Sequence, residues 1–466
     1  MSVKLPIPNA VSASLSETLR QRRQRLAERV DFPVLLWAGR APARNFPANR
    51  FPFRASSHFL YFAGLPLENA VIHLEAGKLT LFMDEESADA ALWHGEKPKR
   101  AEIADRIGAN MALPLEELPA RAKGAATLAI QSPIVYQQQC EILARPVVAA
   151  SLSDGIDRQL AQAVVALRLV HDEAALMELR QAAAATVAAH KAGMATTSAV
   201  RSEAEVRASM ERELLARDMT CAYSSIVTIH GEVLHNDVYS HSIQPGDLLL
   251  ADVGAETASG WAADVTRTWP VSGKFSATQR DLYEVVLAAH DACIEQARPG
   301  VEYRDLHFLA CRAIATGLVD LGILKGNPDS LVEQDAHALF FPHGVGHLLG
   351  LDVHDMEDLG DLAGYAKGRS RSDRFGLSFL RLDRPLKAGM LVTIEPGFYQ
   401  VPAILNDPAR RDRYRHAVNW ERLAEFGDVR GIRIEDDISI AADGHAVLTQ
   451  DLPADVDAIE QLISVS

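Results

Sequence analysis

Hydrophobic and polar positions follow two different periods along the chain. Residues 15–30 have the spacing of an amphipathic helix, whereas residues 34–39 (VLLWAG), 70–83 (AVIHLEAGKLTLFM) and 127–131 (TLAIQ) form short apolar or alternating runs that are typical of strands. Helical patterns lie between these runs. The first part of the chain is therefore predicted to be an α/β domain.

The pattern changes between about residues 158 and 219, where the chain becomes alanine-rich and helical. Strands, turns and helices then alternate to the C-terminus. We predict an N-terminal domain at residues 1–165 and a second domain at residues 166–466. Within the second domain, residues 358–376 and 405–420 are polar and are predicted to be long loops, which are usually functional or mobile.

Composition narrows the class of protein. A chain of 466 residues, 48% hydrophobic, can bury a large core. The net charge is −15, and arginine-rich stretches such as residues 20–29 are interleaved with acids and apolar residues, which argues against nucleic acid as a partner. Four widely spaced cysteines without a CxxC pair favour reduced thiols. No signal-type apolar segment and no run of about 18 apolar residues occurs, so we expect no membrane association and a cytoplasmic protein.

Four carboxylates stand where otherwise buried strands are predicted to end or be interrupted. Asp252 ends an apolar run in GDLLLADVGAE, and Asp264 lies between small and β-branched residues in GWAADVTRTWP. Glu395 in MLVTIEPGFY and Glu435 in GIRIEDDISI follow alternating patterns, which place Glu395 opposite the apolar side chains and Glu435 on the same strand face as Arg433.

A histidine-rich segment, FFPHGVGHLLGLDVHD at residues 340–355, supplies a different type of ligand. Buried carboxylates are costly unless they are paired or bind a metal, so the acids and histidines together indicate one shared cation site. Oxygen-rich ligation with one imidazole favours Mn²⁺, with Co²⁺ or Zn²⁺ as alternatives. Four carboxylates suit two metal ions roughly 3.5–4 Å apart better than one catalytic zinc.

Each residue taken alone also has a structural interpretation. A strand-end aspartate is more often a turn cap or an ion-pair partner, and Glu435 with its acidic neighbours is compatible with a solvated turn. His343 and His347 are equally compatible with core histidines bonded to backbone carbonyls. The metal hypothesis depends on the combination of these residues in this order.

The motifs GDLLLADVGAE, WAADVTRTWPVSGKFS, FFPHGVGHLLGLDVHD, LVTIEPGFY and GIRIEDD closely resemble those of the aminopeptidase P and prolidase group of pita-bread metallopeptidases, peptidase family M24B. FPFRASSHFLYFAGL, at residues 51–65, and LWHGEKP, at residues 92–98, resemble the N-terminal domain of the same enzymes. The resemblance implies an α/β N-terminal domain followed by an α+β pita-bread catalytic domain.

The resemblance also implies roles for individual residues. The five metal ligands would be Asp252, Asp264, His347, Glu395 and Glu435. A hydroxide bridging two metal ions would attack the Xaa-Pro bond at a peptide N-terminus, with Glu395 as the group that moves the proton. His354 matches the histidine that hydrogen-bonds the carbonyl oxygen as it becomes an oxyanion. Substrate-binding roles are implied for His235, His343, Arg381 and Arg433, with Arg433 orienting either Glu435 or the substrate.

The sequence leaves the subtype open. Arg381, in FLRLDRPLKAGM, matches the arginine with which prolidases hold the free carboxylate of an Xaa-Pro dipeptide. The stretch FRASSHFLYFAGL is most similar to aminopeptidase P, which accepts longer peptides. We favour the dipeptidase slightly. Two further alternatives are a non-catalytic pita-bread binding module and a metal hydrolase of a phosphotriester or C–N bond. The family resemblance also predicts a homodimer or homotetramer.

Overall fold

The computed structural model describes residues 9–86 and 88–464 and separates the chain into two compact units. The first unit contains the described residues up to Leu169 together with residues 356–363, and the second contains residues 170–355 and the chain from residue 364 onward. None of the described helices is both long enough and apolar enough to cross a membrane.

The first unit is built on a mixed five-stranded sheet, in the order β4-β3-β2-β1-β5, and the α/β prediction is confirmed. The pairs β1–β2 and β2–β3 are antiparallel, and β1–β5 and β3–β4 are parallel. Its elements are α1 (Asn9–Ala27), β1 (Val34–Trp37), α2 (Ser57–Ala63), β2 (Val71–Glu75), β3 (Lys78–Phe82), α3 (Ala88–His94), α4 (Arg100–Ile107), β4 (Met111–Leu113), a 3₁₀ helix (Leu115–Arg121), β5 (Ala126–Thr127), α5 (Pro133–Leu143) and α6 (Gly155–Arg168).

The strand predicted at residues 127–131 is much shorter in the structure, where β5 ends at Thr127. Side chains take the backbone donors that a longer strand would have used. The N–H of Thr127 donates to Asp157 Oδ1 at 2.9 Å, and the N–H of Ile130 donates to Gln139 Oε1 at 3.0 Å. The apolar pattern therefore predicted the burial of Thr127 and Leu128, but not the backbone pairing and not the exposure of Gln131.

Arg23 of α1 is buried, and its guanidinium binds backbone carbonyl groups at the C-terminal ends of two other helices. Its guanidinium donates to Phe62 O in α2 at 3.3 Å, to Ile107 O in α4 at 3.0 Å, and to Gly108 O at 2.9 Å. These carbonyls have no partner within their own helices, and they carry the negative end of the helix dipole. Burial lowers the pKa of Arg23 to about 10, and the charge of Arg20 acts in the same direction, so Arg23 stays charged at neutral pH.

Replacing Arg23 with methionine is expected to destabilise the first unit by about 3 kcal/mol, because charged hydrogen bonds to buried carbonyls are lost and the carbonyls remain desolvated. Urea unfolding measures this change. The control is Arg20→Met on the same helix, which removes only an exposed ion pair with Glu17 and should change the free energy of unfolding by less than about 0.5 kcal/mol. Equal effects of the two substitutions would contradict the capping role.

The segment 356–363 belongs to the first unit, although it follows the second unit's histidine-rich stretch in sequence. Asp358 Oδ2 lies 3.0 Å from His58 Nε2, and Arg168 contacts His58 Nδ1 at 2.8 Å. Since a guanidinium only donates, Nδ1 of His58 accepts and its Nε2–H donates to Asp358. Burial alone would raise the pKa of Asp358, but His58 and Arg168 lower it to about 2. The sequence did not predict this connection.

The second unit begins with two long helices and continues with short strands and further helices. Up to residue 355 its elements are α7 (Glu173–Thr197), α8 (Glu203–Leu215), β6 (Thr220–Cys221), β7 (Ile226–Thr228), β8 (Leu248–Asp252), β9 (Ala255–Glu256), β10 (Thr266–Pro270), α9 (Ala277–Gln296), α10 (Tyr303–Asp320), α11 (Pro328–Glu333) and a 3₁₀ helix (Ala336–Leu339).

The chain then passes through the segment 356–363, which contains a 3₁₀ helix (Glu357–Leu359) and most of α12 (Asp361–Gly364). The remaining elements are β11 (Leu391–Ile394), β12 (Gly397–Tyr399), α13 (Pro402–Leu405), α14 (Pro408–Arg413), α15 (Trp420–Ala424), β13 (Gly431–Arg433), β14 (Asp436–Ile440), β15 (His445–Val447) and α16 (Val456–Ser464). The loop predicted at residues 405–420 therefore contains a short helix, α14, which begins at Pro408 with Asp407 as its N-cap.

All strand pairs of the second unit are antiparallel among the residues described. They form two three-stranded sheets, β10-β8-β7 and β11-β14-β15, and two pairs, β12-β13 and β6-β9. Asp252 pairs with Thr266 at one end of β8 and β10, and Ile394 pairs with Asp436 at one end of β11 and β14. Since antiparallel partners begin and end at the same edge, each sheet presents two acid-bearing chain ends together.

Candidate active site

The four strand-end acids and His347 converge at these two sheet edges. Asp252 is the last residue of β8, and Asp264 lies two positions before β10. Glu395 directly follows β11, and Glu435 directly precedes β14. The segment that carries His347 runs alongside β11, because the N–H of Glu395 donates to Val345 O at 2.8 Å and the N–H of Thr393 donates to His347 O at 3.0 Å.

Ligand atoms of Asp264, His347 and Glu435 all lie within 4.8 Å of one another, and all three residues are buried. His347 Nε2 lies 3.4 Å from Asp264 Oδ2 and 3.4 Å from Glu395 Oε1. The hydroxyl of Tyr223 lies 2.5 Å from both Asp252 Oδ1 and Asp264 Oδ1. The five predicted ligand side chains therefore form one continuous cluster.

The cluster has too little positive charge for its carboxylates. Burial, with repulsion from Asp252, raises the pKa of Asp264 to about 8, and burial raises that of Glu395 to about 7. Burial and repulsion from Asp264 raise the pKa of Glu435 well above its ordinary value. Glu435 Oε1 is also buried without a hydrogen-bond partner among the described residues. Divalent cations would fit this donor set, because they would supply both the missing charge and the missing partner.

The guanidinium of Arg433 contacts this cluster directly, and the position of Arg433 differs from the sequence prediction. The predicted single strand is interrupted: β13 ends at Arg433 and β14 begins at Asp436, so Arg433 and Glu435 do not share a strand face. Arg433 donates to Asp252 Oδ2 at 2.6 Å and to Thr266 Oγ1 at 3.0 Å. Thr266 Oγ1 in turn donates to Glu435 Oε2 at 2.7 Å, so hydrogen bonds connect Arg433 to Glu435 through Thr266.

The site contains two tyrosines, Tyr223 and Tyr399, that were not predicted from the sequence. Tyr223 connects two acids, and burial followed by the charges of Asp252 and Asp264 raises its pKa well above the ordinary value, so its hydroxyl keeps its proton and can donate it to one of the two carboxylates at a time. Tyr399 OH lies 3.1 Å from Arg433 and 2.9 Å from His343 Nε2. Tyr399 follows the Glu-Pro-Gly motif closely in sequence, which was an available signal, whereas Tyr223 carries no local motif.

The predicted histidines lie around the acid cluster at different depths. The rings of His354 and His347 are 4.3 Å apart. His343 Nδ1 lies 3.9 Å from Glu395 Oε2, and burial, with repulsion from Arg433, lowers the pKa of His343 to about 3. His235 is exposed; burial of part of the ring lowers its pKa, and the charges of Arg433, Arg381 and His354 contribute in the same direction. The charges of three predicted site residues therefore act on the His235 imidazole.

Close backbone approaches explain the glycines of the histidine-rich segment. A Cβ at Gly344 would lie 3.0 Å from Leu380 Cα, directly beside Arg381 in sequence. A Cβ at Gly346 would overlap the carbonyl oxygen of Thr393 and the hydroxyl of Tyr303. These contacts require residues without a side chain and bring the segments that carry His343, His347 and Arg381 against β11 and its neighbours.

Comparisons with known proteins agree with this arrangement. The chain matches the family model "Metallopeptidase family M24" over residues 177–442 and the model "Aminopeptidase P, N-terminal domain" over residues 19–132. It is 31% identical to the human Xaa-Pro dipeptidase over 98% of this chain and 94% of that protein. It is 30% identical to the Xaa-Pro aminopeptidase of Haemophilus influenzae over 96% of this chain and 97% of that protein.

A solved structure shows the same architecture. Aminopeptidase P from E. coli with the inhibitor Pro-Leu superposes with a TM-score of 0.79, at 26% identity, over 97% of this chain and 98% of that chain. The predicted combination of an aminopeptidase P-type N-terminal domain with a pita-bread catalytic domain is thus confirmed. The chain therefore belongs to metallopeptidase family M24, in its aminopeptidase P and prolidase group, and is a metallo-exopeptidase.

Proposed function

We propose that the chain is an Xaa-Pro dipeptidase that uses two divalent metal ions, with Mn²⁺ as the favoured metal. Relatives named as dipeptidase and as aminopeptidase match at 31% and 30% identity, so identity does not separate the two specificities. The observation that carries the proposal is the position of the Arg381 backbone: the preceding residue, Leu380, packs with its Cα against Gly344, next to His343. The charge of Arg381 also contributes to the lowered pKa of His235. A guanidinium beside the site is suited to bind the free carboxylate of a dipeptide.

Asp252, Asp264, His347, Glu395 and Glu435 would hold the metal ions. Bound there, the ions would lower the pKa of a water molecule and polarise the scissile carbonyl group. Four carboxylates with one imidazole form an oxygen-rich donor set that suits Mn²⁺, with Co²⁺ or Zn²⁺ as alternatives.

Side chains of the protein would transfer the proton, stabilise the oxyanion, bind the substrate and orient a metal ligand. Glu395 accepts the proton of the attacking water and passes it to the departing proline nitrogen. His354 donates to the carbonyl oxygen as negative charge develops there. His343, beside Tyr399, lines the pocket for the leaving proline, and Arg381 holds its carboxylate. Arg433 holds Asp252, so its contribution to catalysis is to keep that side chain oriented.

Product analysis with protein stripped of metal and reloaded with Mn²⁺ tests this proposal. We expect cleavage of Ala-Pro and no cleavage of Ala-Pro-Ala. Arg381→Gln should lower kcat/KM for Ala-Pro by roughly 100-fold, about the effect of losing a bidentate charged contact. Lys387→Gln, which removes an exposed cation six positions away, is the matched control and should change kcat/KM less than about twofold.

Cleavage of the tripeptide would instead indicate an Xaa-Pro aminopeptidase and leave Arg381 without a carboxylate to bind. If neither peptide is cut while the metal ions are bound, the proline-peptidase proposal fails. Hydrolysis of a phosphotriester or a C–N bond then becomes the reaction to test. The oligomeric state, a homodimer or homotetramer, stays a prediction from the resemblance.

A further inference from the structure

Asp383, two residues beyond Arg381, is a fully buried carboxylate outside the metal cluster. Its side chain has no exposed surface and contacts the guanidinium groups of both Arg304 and Arg369. The Arg369 contact measures 2.8 Å from NH1 to Asp383 Oδ1, and the same nitrogen lies 2.6 Å from Glu302 Oε2. One buried acid thus joins the start of α10 to the polar segment that precedes β11.

The backbone of Asp383 closes the base of this polar segment. Its N–H donates to Gly364 O at 2.8 Å, and its carbonyl oxygen accepts from the N–H of Ala366 at 3.0 Å. A Cβ at Gly364 would overlap the carbonyl oxygen of Arg381, so the main chain of Arg381 lies directly against this base. Residues 364–383 therefore form a loop whose two ends contact each other at Asp383. Arg381 lies two residues before the end of that loop.

Electrostatics explain why the carboxylate can be buried there. A desolvated carboxylate is strongly unfavourable alone, and two guanidinium groups compensate for it. The hydrogen bonds to Glu302 and Asp383 raise the pKa of Arg369. Burial lowers the pKa of neighbouring Arg384 to about 10, and repulsion from Arg369 acts in the same direction. Removing the charge of Asp383 would leave the guanidinium groups without their shared counterion and release the base of the loop.

The same cluster is tied to the strand that carries the proposed proton acceptor. Arg304 follows Tyr303 in α10, and the hydroxyl of Tyr303 donates to Thr393 O in β11 at 2.6 Å. Glu395 lies two residues beyond Thr393. One helix end therefore fixes both Asp383 and the backbone of β11, so the distance from Arg381 to the reacting groups depends on this shared attachment.

We propose that Asp383 is the positioning residue for Arg381: held by Arg304 and Arg369, it fixes the main chain from which Arg381 binds the C-terminal carboxylate of the substrate. This inference rests on the proposed dipeptidase function. It assigns dipeptide specificity to a buried ion-pair cluster as well as to the arginine that contacts substrate. Of these two residues only Arg381 touches the substrate, and Asp383 acts through it.

A double-mutant cycle on the Mn²⁺-loaded protein tests the inference, with Ala-Pro and its C-terminal amide as paired substrates. We expect Asp383→Asn to raise KM for Ala-Pro by roughly tenfold, with kcat nearly unchanged and little effect on the amide. In an Arg381→Gln background the same substitution should have no further effect, because the group through which it acts is absent. Glu302→Gln, which removes the other acid bound to Arg369, is the control and should leave the substrate ratio within about twofold.

Two kinds of result contradict the proposals separately. A wild-type enzyme that cleaves the amide as well as Ala-Pro contradicts the dipeptidase function. A preference for the free carboxylate that Asp383→Asn leaves unchanged, or an effect of Asp383→Asn that is equally large in the Arg381→Gln background, contradicts the role of Asp383 alone. If Asp383→Asn does not fold, Arg369→Gln removes one counterion while keeping the carboxylate. The same double-mutant cycle with that variant then tests whether the ion-pair cluster acts through Arg381.

Discussion

Replacing Glu395 with glutamine is expected to lower kcat for Ala-Pro by roughly 1000-fold, within the usual range for removing a general base. Glutamine keeps the size of the side chain and one oxygen ligand but cannot accept a proton. The effect depends on the position of Glu395, whose carboxylate lies 3.4 Å from His347 and 3.9 Å from His343 at the end of β11. The measurement is steady-state kinetics on samples whose metal content has been determined.

The measured metal content shows whether Glu395→Gln acts by releasing metal or by removing the proton acceptor. A variant that binds the same amount of metal and still loses activity has lost its proton acceptor, as we expect. Glu421→Gln, an exposed glutamate on α15, is the matched control and should keep kcat within about twofold of wild type. A Glu395→Gln variant that keeps more than a tenth of kcat with its metal bound would refute the role of Glu395 in proton transfer.

Removing the metal ions is expected to abolish activity and to lower the melting temperature more at pH 8.5 than at pH 5.5. Without cations, the folded state holds protons on Asp264 and Glu395, whose pKa values are raised to about 8 and about 7. The unfolded chain releases those protons near its ordinary carboxyl pKa of about 4. The folded state therefore binds more protons between about pH 4 and pH 8, so the stability of the stripped protein falls as pH rises through that window.

Metal binding should oppose this loss, since at 1000 times the dissociation constant it stabilises the folded state by about 4 kcal/mol. Thermal melting of stripped and Mn²⁺-loaded protein at both pH values measures the difference. Asp264→Asn is the informative variant: it removes one of the repelling charges, so the stripped variant should melt above stripped wild type at pH 8.5 and respond less to Mn²⁺. A stripped wild-type protein that becomes more stable from pH 5.5 to pH 8.5 would show that the carboxylates do not repel one another as described.

The sequence predicted the parts of the site that have local motifs. Asp252 and Glu395 end apolar strand patterns, and antiparallel pairing brings such ends together without further information. Arg433 shows the limit of this reasoning. The alternating pattern of GIRIEDDISI predicted one continuous strand, but the chain breaks into β13 and β14, which pair with different strands, and Arg433 turns to Asp252 instead of Glu435.

Contacts between residues distant in sequence were not predictable in the same way. Tyr223 lies in an ordinary stretch before β7, and its connection to Asp252 and Asp264 exists only in three dimensions. The shortening of the strand at residues 127–131 depends on side chains of α5 and α6 taking backbone donors. Residues 356–363 likewise belong to the first unit because Asp358 contacts His58. A single sequence contains no signal for this contact.

That last contact has a consequence for the order in which the protein is made. Translation delivers His58 and Arg168 early, but Asp358 emerges about 190 residues after Arg168, which takes roughly 10 to 40 s at common synthesis rates. Until then His58 and Arg168 are present in the nascent chain, but Asp358 is not. The N-terminal unit is thus begun first, but it can be completed only after most of the catalytic unit has been synthesised.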